Sequence, residues 1–261
     1  MKPVNHSTAK PSYYNTRAQH YDEFNENNSK KTNQVLEKIL KNHKASTVLD
    51  LTCGTGSQVF WLIEAGFEVV GSDISQSMLS IAKQKAKQKA LKVKFLKGDC
   101  RNIVVGQFDA VITIFNAIGH LTRQDFKTCV TNVSNNLKKG GLYIFDIFNL
   151  DYLKHKNNIA KLTGDWLTTT PNGSSIREIQ FSTITDDGIL ASYSTYVRQT
   201  DFSQPTKISK GYSNTLQVYS AEELRTILND CGFTVLDQTD IDGNKFDQYN
   251  SERILTVAKK S

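Results

Sequence analysis

Cysteine is scarce and scattered. Cys53, Cys100, Cys129 and Cys231 form no Cys-x-x-Cys pair and have no histidines at metal spacing. That argues against a disulfide framework and a zinc site, and fits free thiols in a reducing cytosol. No apolar run approaches ~18 residues, so no transmembrane helix or membrane partner is expected. The opening Met1-Lys2-Pro3-Val4-Asn5-His6 has no apolar signal core, which agrees with a cytoplasmic protein. Internal repeats and low-complexity tracts are also lacking. Arginine or glycine-aromatic repeats of the kind that track a nucleic-acid strand are missing too. The net charge is nevertheless +6. Much of the excess sits in Lys83, Lys85, Lys87, Lys89, Lys92, Lys94 and Lys97, which on the helix alternate with Gln and Ala. That pattern reads as a solvated surface rather than an RNA-binding stripe, so nucleic acid is not the expected partner.

What the chain does carry is a strand running into a glycine turn: Val48-Leu49-Asp50-Leu51-Thr52-Cys53-Gly54-Thr55-Gly56, with a helix opening at Ser57. Glycines allow a tight turn and close backbone approach to a ligand. The helix N-terminus behind them favours a carboxylate or phosphate. This is the geometry of a nucleotide-binding loop in an open α/β sheet. Three further features fall at strand ends. The second strand, Phe67 to Ser72, ends at Asp73, where a carboxylate can accept both hydroxyls of a ribose. The alternative is that Asp73 caps the helix starting near Ser75, although Ser75 can cap that helix itself. The third strand, Lys92 to Lys97, runs into Gly98-Asp99-Cys100, where Asp99 can accept an adenine amine or be an ordinary turn aspartate. The fourth strand, Phe108 to Phe115, exits into Asn116-Ala117-Ile118-Gly119-His120-Leu121. A dinucleotide site fits less well, because Val59 stands where its pattern wants a third small residue.

In order, these segments resemble the motifs of class I S-adenosylmethionine (SAM)-dependent methyltransferases. Asp50 to Gly56 resembles the first, Gly71-Ser72-Asp73-Ile74-Ser75-Gln76-Ser77-Met78-Leu79 the second and Gly98-Asp99-Cys100 the third. Phe108-Asp109-Ala110-Val111 through His120 resembles the fourth, and Leu137-Lys138-Lys139-Gly140-Gly141-Leu142-Tyr143 the turn into the fifth strand. Thr52 departs from the family's usual Gly or Ala. The resemblance implies SAM as cofactor, with S-adenosylhomocysteine as product, and assigns positions to bind it. The Cys53–Gly56 loop, including Gly54, follows Asp50 and Thr52 and holds the methionine carboxylate. Asp73 takes the ribose, with Ile74 and Met78 beside the adenine. Asp99 and the Cys100 amide hold the adenine edge, and Phe115 and Asn116 flank the sulfonium. Tyr13-Tyr14 through Tyr21-Asp22 resembles a segment that, in many small-molecule methyltransferases, folds over the cofactor. It makes Tyr21, then Tyr14, candidate contacts; the alternative is an aromatic hinge. His120 is the candidate general base, or else caps the next helix or orients Asn116.

Other absences narrow the acceptor. There is no Asn-Pro-Pro-aromatic run, no Pro-Cys nucleophile pair, and no acidic cluster at the end of the fourth strand. The closer resemblance is to glycine/sarcosine-type or amino-sugar N-methyltransferases, through Asn116 to Leu121 and Phe145-Asp146-Ile147-Phe148-Asn149. The expected activity is methyl transfer to a small molecule, most readily an amine nitrogen. The alternatives are an RNA methyltransferase and a non-catalytic SAM-binding partner protein.

The expected fold is a Rossmann-like α/β sheet of seven strands with an antiparallel last strand. Residues 1–45 form an N-terminal helical cap, with a helix over Ser29 to Asn42. Residues 46–150 and 219–261 form the core. Residues 151–218 form an antiparallel β insertion, a substrate lid or dimer surface, in a monomer or homodimer. Within it, Ser174 to Thr185 and Ile189 to Thr200 flank a turn at Asp186-Asp187-Gly188, a hairpin signal. A further strand spans Lys207 to Val218. Phe181, Tyr193, Tyr196, Phe202 and Tyr212 line a pocket or pack the insertion's own core. Ser220-Ala221-Glu222-Glu223 opens a capped helix that ends near Cys231-Gly232. Phe233 to Ile241 and Arg253 to Lys259 are the last strands.

Overall fold

A computed structural model describes residues 4–14, 21–169, 175–199 and 207–261. The first half alternates strand and helix: α1 (Tyr21–Asn42), β1 (Thr47–Asp50), α2 (Ser57–Glu64), β2 (Glu68–Asp73), α3 (Gln76–Gln88), β3 (Lys94–Lys97), β4 (Phe108–Thr113), α4 (Arg123–Asn135) and β5 (Leu137–Phe148). After α5 (Leu150–Lys154) come four antiparallel strands: β6 (Gly164–Thr169), β7 (Ser175–Ile184), β8 (Ile189–Gln199) and β9 (Lys207–Gln217). The chain closes with α6 (Ala221–Asp230), β10 (Phe233–Thr239) and β11 (Arg253–Lys260).

The main sheet has seven strands in the order β10-β11-β5-β4-β1-β2-β3. β1 to β5 pair in parallel, and β11 runs antiparallel to both β5 and β10. The expected topology is therefore the one observed. Two boundaries differ from expectation. The first helix begins at Tyr21 rather than Ser29, because polar Asn and Glu residues carry no apolar periodicity to announce it. The start of the expected β insertion is helical, with α5 and a 3-10 helix over His155–Leu162 preceding β6. β6 is a short edge strand whose exposed Trp166 and Leu167 give no in-out alternation.

Neighbouring strand residues divide between the two faces of the sheet, as the pleat requires. Val48, Ala110 and Ile144 pack with Leu36, Leu40, Val59, Leu62 and Leu79 on the α1–α3 side. Leu49, Val111, Tyr143 and Phe145 pack with Phe126, Val130, Leu224 and Phe233 on the α4–α6 side. Each fully buried Leu or Phe contributes about 1.5–3 kcal/mol, so this two-sided core fixes the register that brings the strand ends together.

Local signals hold where they are strongest. Ser220 and Glu223 form a reciprocal capping box, with Glu223 N–H donating to Ser220 Oγ at 3.1 Å and Ser220 N–H to Glu223 Oε2 at 2.8 Å. Gly188 takes a φ of 81° at the β7–β8 turn. Gln217 Nε2 donates to the carbonyls of Asp187 and Gly188, and Arg123 Nη2 to that of Asp187. The second sheet is thus tied to the core at its turn end.

Candidate functional site

The chain leaves β1 toward β2 and β3 on one side and returns as β4 on the other. β1 and β4 are adjacent, so their C-terminal ends form the switch point where open α/β sheets bind ligands. A cleft lies there, as two cavities of about 100 and 440 Å³ that share Thr52, Gly54, Ile114 and Phe115. The smaller is lined further by Asp73, Ile74, Met78, Asp99, Cys100 and His120. The larger lies between α1 and α2 and reaches Asn33, Gln58, Lys85 and Lys89.

The glycine loop is built by its backbone. Gly54 and Gly56 have φ of 53° and 91°, in the left-handed region where glycine alone is at ease. Asp73 crosses from β2 to support the loop: its Oδ2 accepts Gly54 N–H at 2.9 Å, and its Oδ1 accepts Ser75 N–H at 2.8 Å. Ser75 itself caps α3 through Met78 N–H. Each Asp73 oxygen keeps acceptor capacity for a ligand hydroxyl. Burial pushes its carboxyl above the usual range, and the Ser75 and Gly54 N–H bonds oppose that shift.

Asp50 is buried at the end of β1. Its Oδ1 accepts Thr52 N–H at 3.3 Å, while its Oδ2 and the Thr52 hydroxyl oxygen have no protein partner. Burial raises the Asp50 carboxyl from 3.8 to about 8, opposed by the Thr52 bond and helped by the neighbouring Asp73 charge. The folded protein therefore holds a proton that the unfolded chain releases above pH 3.8. The stability this confers is complete below that value and is lost as pH rises toward about 8. Melts between these limits are expected to lose up to about 1.4 kcal/mol of stability per pH unit from this one group. Asp50→Asn should flatten that slope, leaving the part due to Asp73; an unchanged slope would remove Asp50 as its source.

Asp99 lines the cleft but is already engaged. Arg101 forks onto it, Nε to Oδ1 at 3.0 Å and Nη2 to Oδ2 at 2.6 Å, and Arg101 Nη1 reaches Asp125 at 2.9 Å. The guanidinium holds the Asp99 carboxyl below its ordinary value despite burial. An adenine amine would meet an anchored, ionised acceptor. Asp125 also accepts from Thr8 Oγ1, and Ala9 N–H donates to His120 O at 2.9 Å. An N-terminal strap, with Thr8, Ala9 and Lys10, thereby walls the smaller cavity. Neither strap nor Arg101 stands out in the sequence, since both act through space on distant residues.

β4 ends in an unusual turn. Phe115 and Asn116 are consecutive non-glycine residues with φ of 64° and 56°, each costing on the order of 1–3 kcal/mol. The buried Asn116 Oδ1 has no protein partner. His120 follows on a 3-10 turn, Ala117–His120, and lines the smaller cavity. It does not cap α4; Thr122 does, accepting from Asp125 N–H. The side chains of Tyr14 and Tyr21 lie outside the described residues, as do those of Phe202 and Tyr212. Phe181 and Tyr193 stack on each other at 5.1 Å in the second sheet and line neither cavity.

The loop geometry fits SAM. Buried oxygens on Asp50, Thr52 and Asn116, at the ends of β1 and β4, have no protein partner, and a Cβ at Gly54, which lines both cavities, would meet no protein atom within 4 Å. Among the described residues no group of three or more His, Cys, Asp or Glu is placed to hold a metal, and no helix is long and apolar enough to cross a membrane. Lys83, Lys87, Lys92 and Lys94 line a separate surface groove along α3 and β3. β3 is the sheet's edge, where lysines discourage edge-to-edge pairing.

Comparison with known proteins agrees with this geometry. Residues 48–141 match the family model described as methyltransferase domain. A putative methyltransferase, YqeM of Bacillus subtilis, is 41% identical over 103 residues, 38% of this chain and 41% of that protein. A glycine/sarcosine N-methyltransferase of Parasynechococcus marenigrum is 35% identical over 120 residues, 44% of this chain and 43% of that protein. The chain thus matches less than half the length of either relative. Among solved structures, a SAM-dependent methyltransferase from Clostridium acetobutylicum superposes with a TM-score of 0.74 at 24% identity, covering 95% of this chain and 99% of that one. The amino pentose methyltransferase CalS10 of Micromonospora echinaspora, solved with SAM, gives 0.66 at 19% identity over 88% and 90%. These two likenesses establish the shared fold.

Proposed function

We propose that this chain, a class I SAM-dependent methyltransferase, transfers the methyl group to the nitrogen of a small-molecule amine. The observation that carries the reading is the cleft at the β1–β4 switch point, where the Gly54–Gly56 loop and Asp73 face the Phe115–His120 segment. The likeness to a glycine/sarcosine N-methyltransferase supports nitrogen as the acceptor.

When bound, SAM supplies an electrophilic methyl on a sulfonium, a good leaving group. The protein's own task is to orient and to exclude water. Asp73 would take the ribose hydroxyls, with Ile74 and Met78 beside the adenine. Asp99, fixed by Arg101, and the Cys100 amide would meet the adenine edge. Asp50, Thr52 and the Cys53–Gly56 backbone would receive the methionine end. Phe115 and Asn116 would flank the methyl, joined by Tyr21 and then Tyr14 from the N-terminal segment. An uncharged amine needs no dedicated base during attack. His120, which lines the smaller cavity, would accept its proton afterwards.

The β6–β9 sheet is the candidate acceptor wall. At its root, a Cβ on Gly119 would stand 3.2 Å from Gln217 O, so the sheet abuts the turn that carries His120. The same sheet is the candidate dimer surface, and light scattering on the eluting protein will distinguish monomer from homodimer. The test of function is transfer of radiolabelled methyl from SAM to a panel of amino acids, amino sugars and other small amines. Label on an amine nitrogen is the expected result. Label appearing only on RNA, or on none of these acceptors while SAM binds, would overturn the small-amine reading.

A further inference from the structure

We propose that Asp146 and Arg253, neither of which lines the cleft, form a positioning pair that sets the Phe115–Asn116 turn against the methionine end of the cofactor. The inference rests on the SAM reading above.

Asp146 is fully buried on β5, next to the end of β4. Its Oδ1 accepts Phe115 N–H at 2.6 Å, and its Oδ2 faces Asn116 N–H at 3.4 Å. One carboxylate therefore holds the amides of both left-handed residues. A turn that prefers other backbone angles is kept in place only if its surroundings over-determine it. A buried carboxylate in turn needs a cation. Arg253, at the start of β11, supplies it through Nη2 to Asp146 Oδ2.

Arg253 does more than neutralise. Its guanidinium lies 5.6 Å from the centre of the Phe115 ring and 5.9 Å from that of Phe148. The pair thus grips the backbone of the turn through Asp146 and the Phe115 ring through Arg253. Phe115 lines both cavities of the cleft. A purely architectural tie between β5 and β11 is not needed at this place. The two strands are already paired from Arg253–Phe148 through Lys259–Leu142. The ion pair's added effect falls on the turn.

The ribose and adenine groups, Asp73 and Asp99, have their own supports in Gly54, Ser75 and Arg101. Loss of the pair should therefore be felt selectively. Calorimetric titration with SAM, S-adenosylhomocysteine and adenosine would be run on wild type, Asp146→Asn, Arg253→Met and Arg253→Lys, with thermal melts in parallel. SAM and S-adenosylhomocysteine affinity should fall about tenfold in Asp146→Asn and Arg253→Met while adenosine affinity stays within about twofold. Arg253→Lys should recover part of the loss. Equal losses for all three ligands, or no loss for SAM, would overturn the positioning role, as would a failure of lysine to rescue. Wild type that binds adenosine but not SAM would instead overturn the underlying SAM reading, and this inference with it.

Discussion

Replacing Asp73 with alanine should weaken SAM binding by about 100-fold or more, the largest effect of any single change in the cleft. Two losses combine. The ribose would lose a charged acceptor, and hydrogen bonds to charged groups contribute about 1.5–3 kcal/mol. The glycine loop would also lose its brace, because Gly54 N–H donates to Asp73 Oδ2 and Ser75 N–H to Oδ1. Asp73→Asn separates the two. Its amide oxygen can keep one backbone bond, but its NH2 cannot accept a hydroxyl proton. It should bind SAM more weakly than wild type and more strongly than the alanine variant. Calorimetry on all three proteins measures this. Unchanged affinity in both variants would show that the ribose is held elsewhere.

Gly56→Ala should cost about 2–5 kcal/mol of stability and depress SAM binding with it. The backbone φ of 91° is strained for any L side chain, at about 1–2 kcal/mol. The new methyl would also stand 2.7 Å from Phe60 Cε2. On one side Phe60 packs edge-on against Phe95 at 6.1 Å. Phe95 in turn lies where a Cβ on Gly71 would reach 2.8 Å. The added carbon would therefore press on the strand that carries Asp73. Overpacking of this kind costs about 1–3 kcal/mol, and the total should lower Tm by about 10 °C in a chain of this size. A melt within a degree or two of wild type would mean that the loop relaxes freely.

What the sequence disclosed about this site was local. The Gly54–Gly56 turn, Asp73 at a strand tip, the Ser220–Glu223 box and the Gly188 hairpin each depend on residues close in the chain. Their meaning survives without knowing the rest of the fold. The seven-stranded sheet with its antiparallel last strand was legible because five motifs resembling one family occur in sequence. The supports of the site were not. Arg253 and Asp146 are 107 residues apart, and Thr8 and Asp125 are 117 apart. No spacing rule links such pairs; only the folded sheet brings them together. The helix capping suggested for His120 failed for a similar reason, since Thr122 offers a better cap two residues on.

The most direct test of the account is calorimetric titration of the intact protein with SAM and S-adenosylhomocysteine. The cleft, its glycine loop and its buried acceptors predict saturable binding of both, with Kd on the order of micromolar, or about −8 kcal/mol. A folded protein that takes up neither ligand at about 1 mM, a ceiling near −4 kcal/mol, would contradict it.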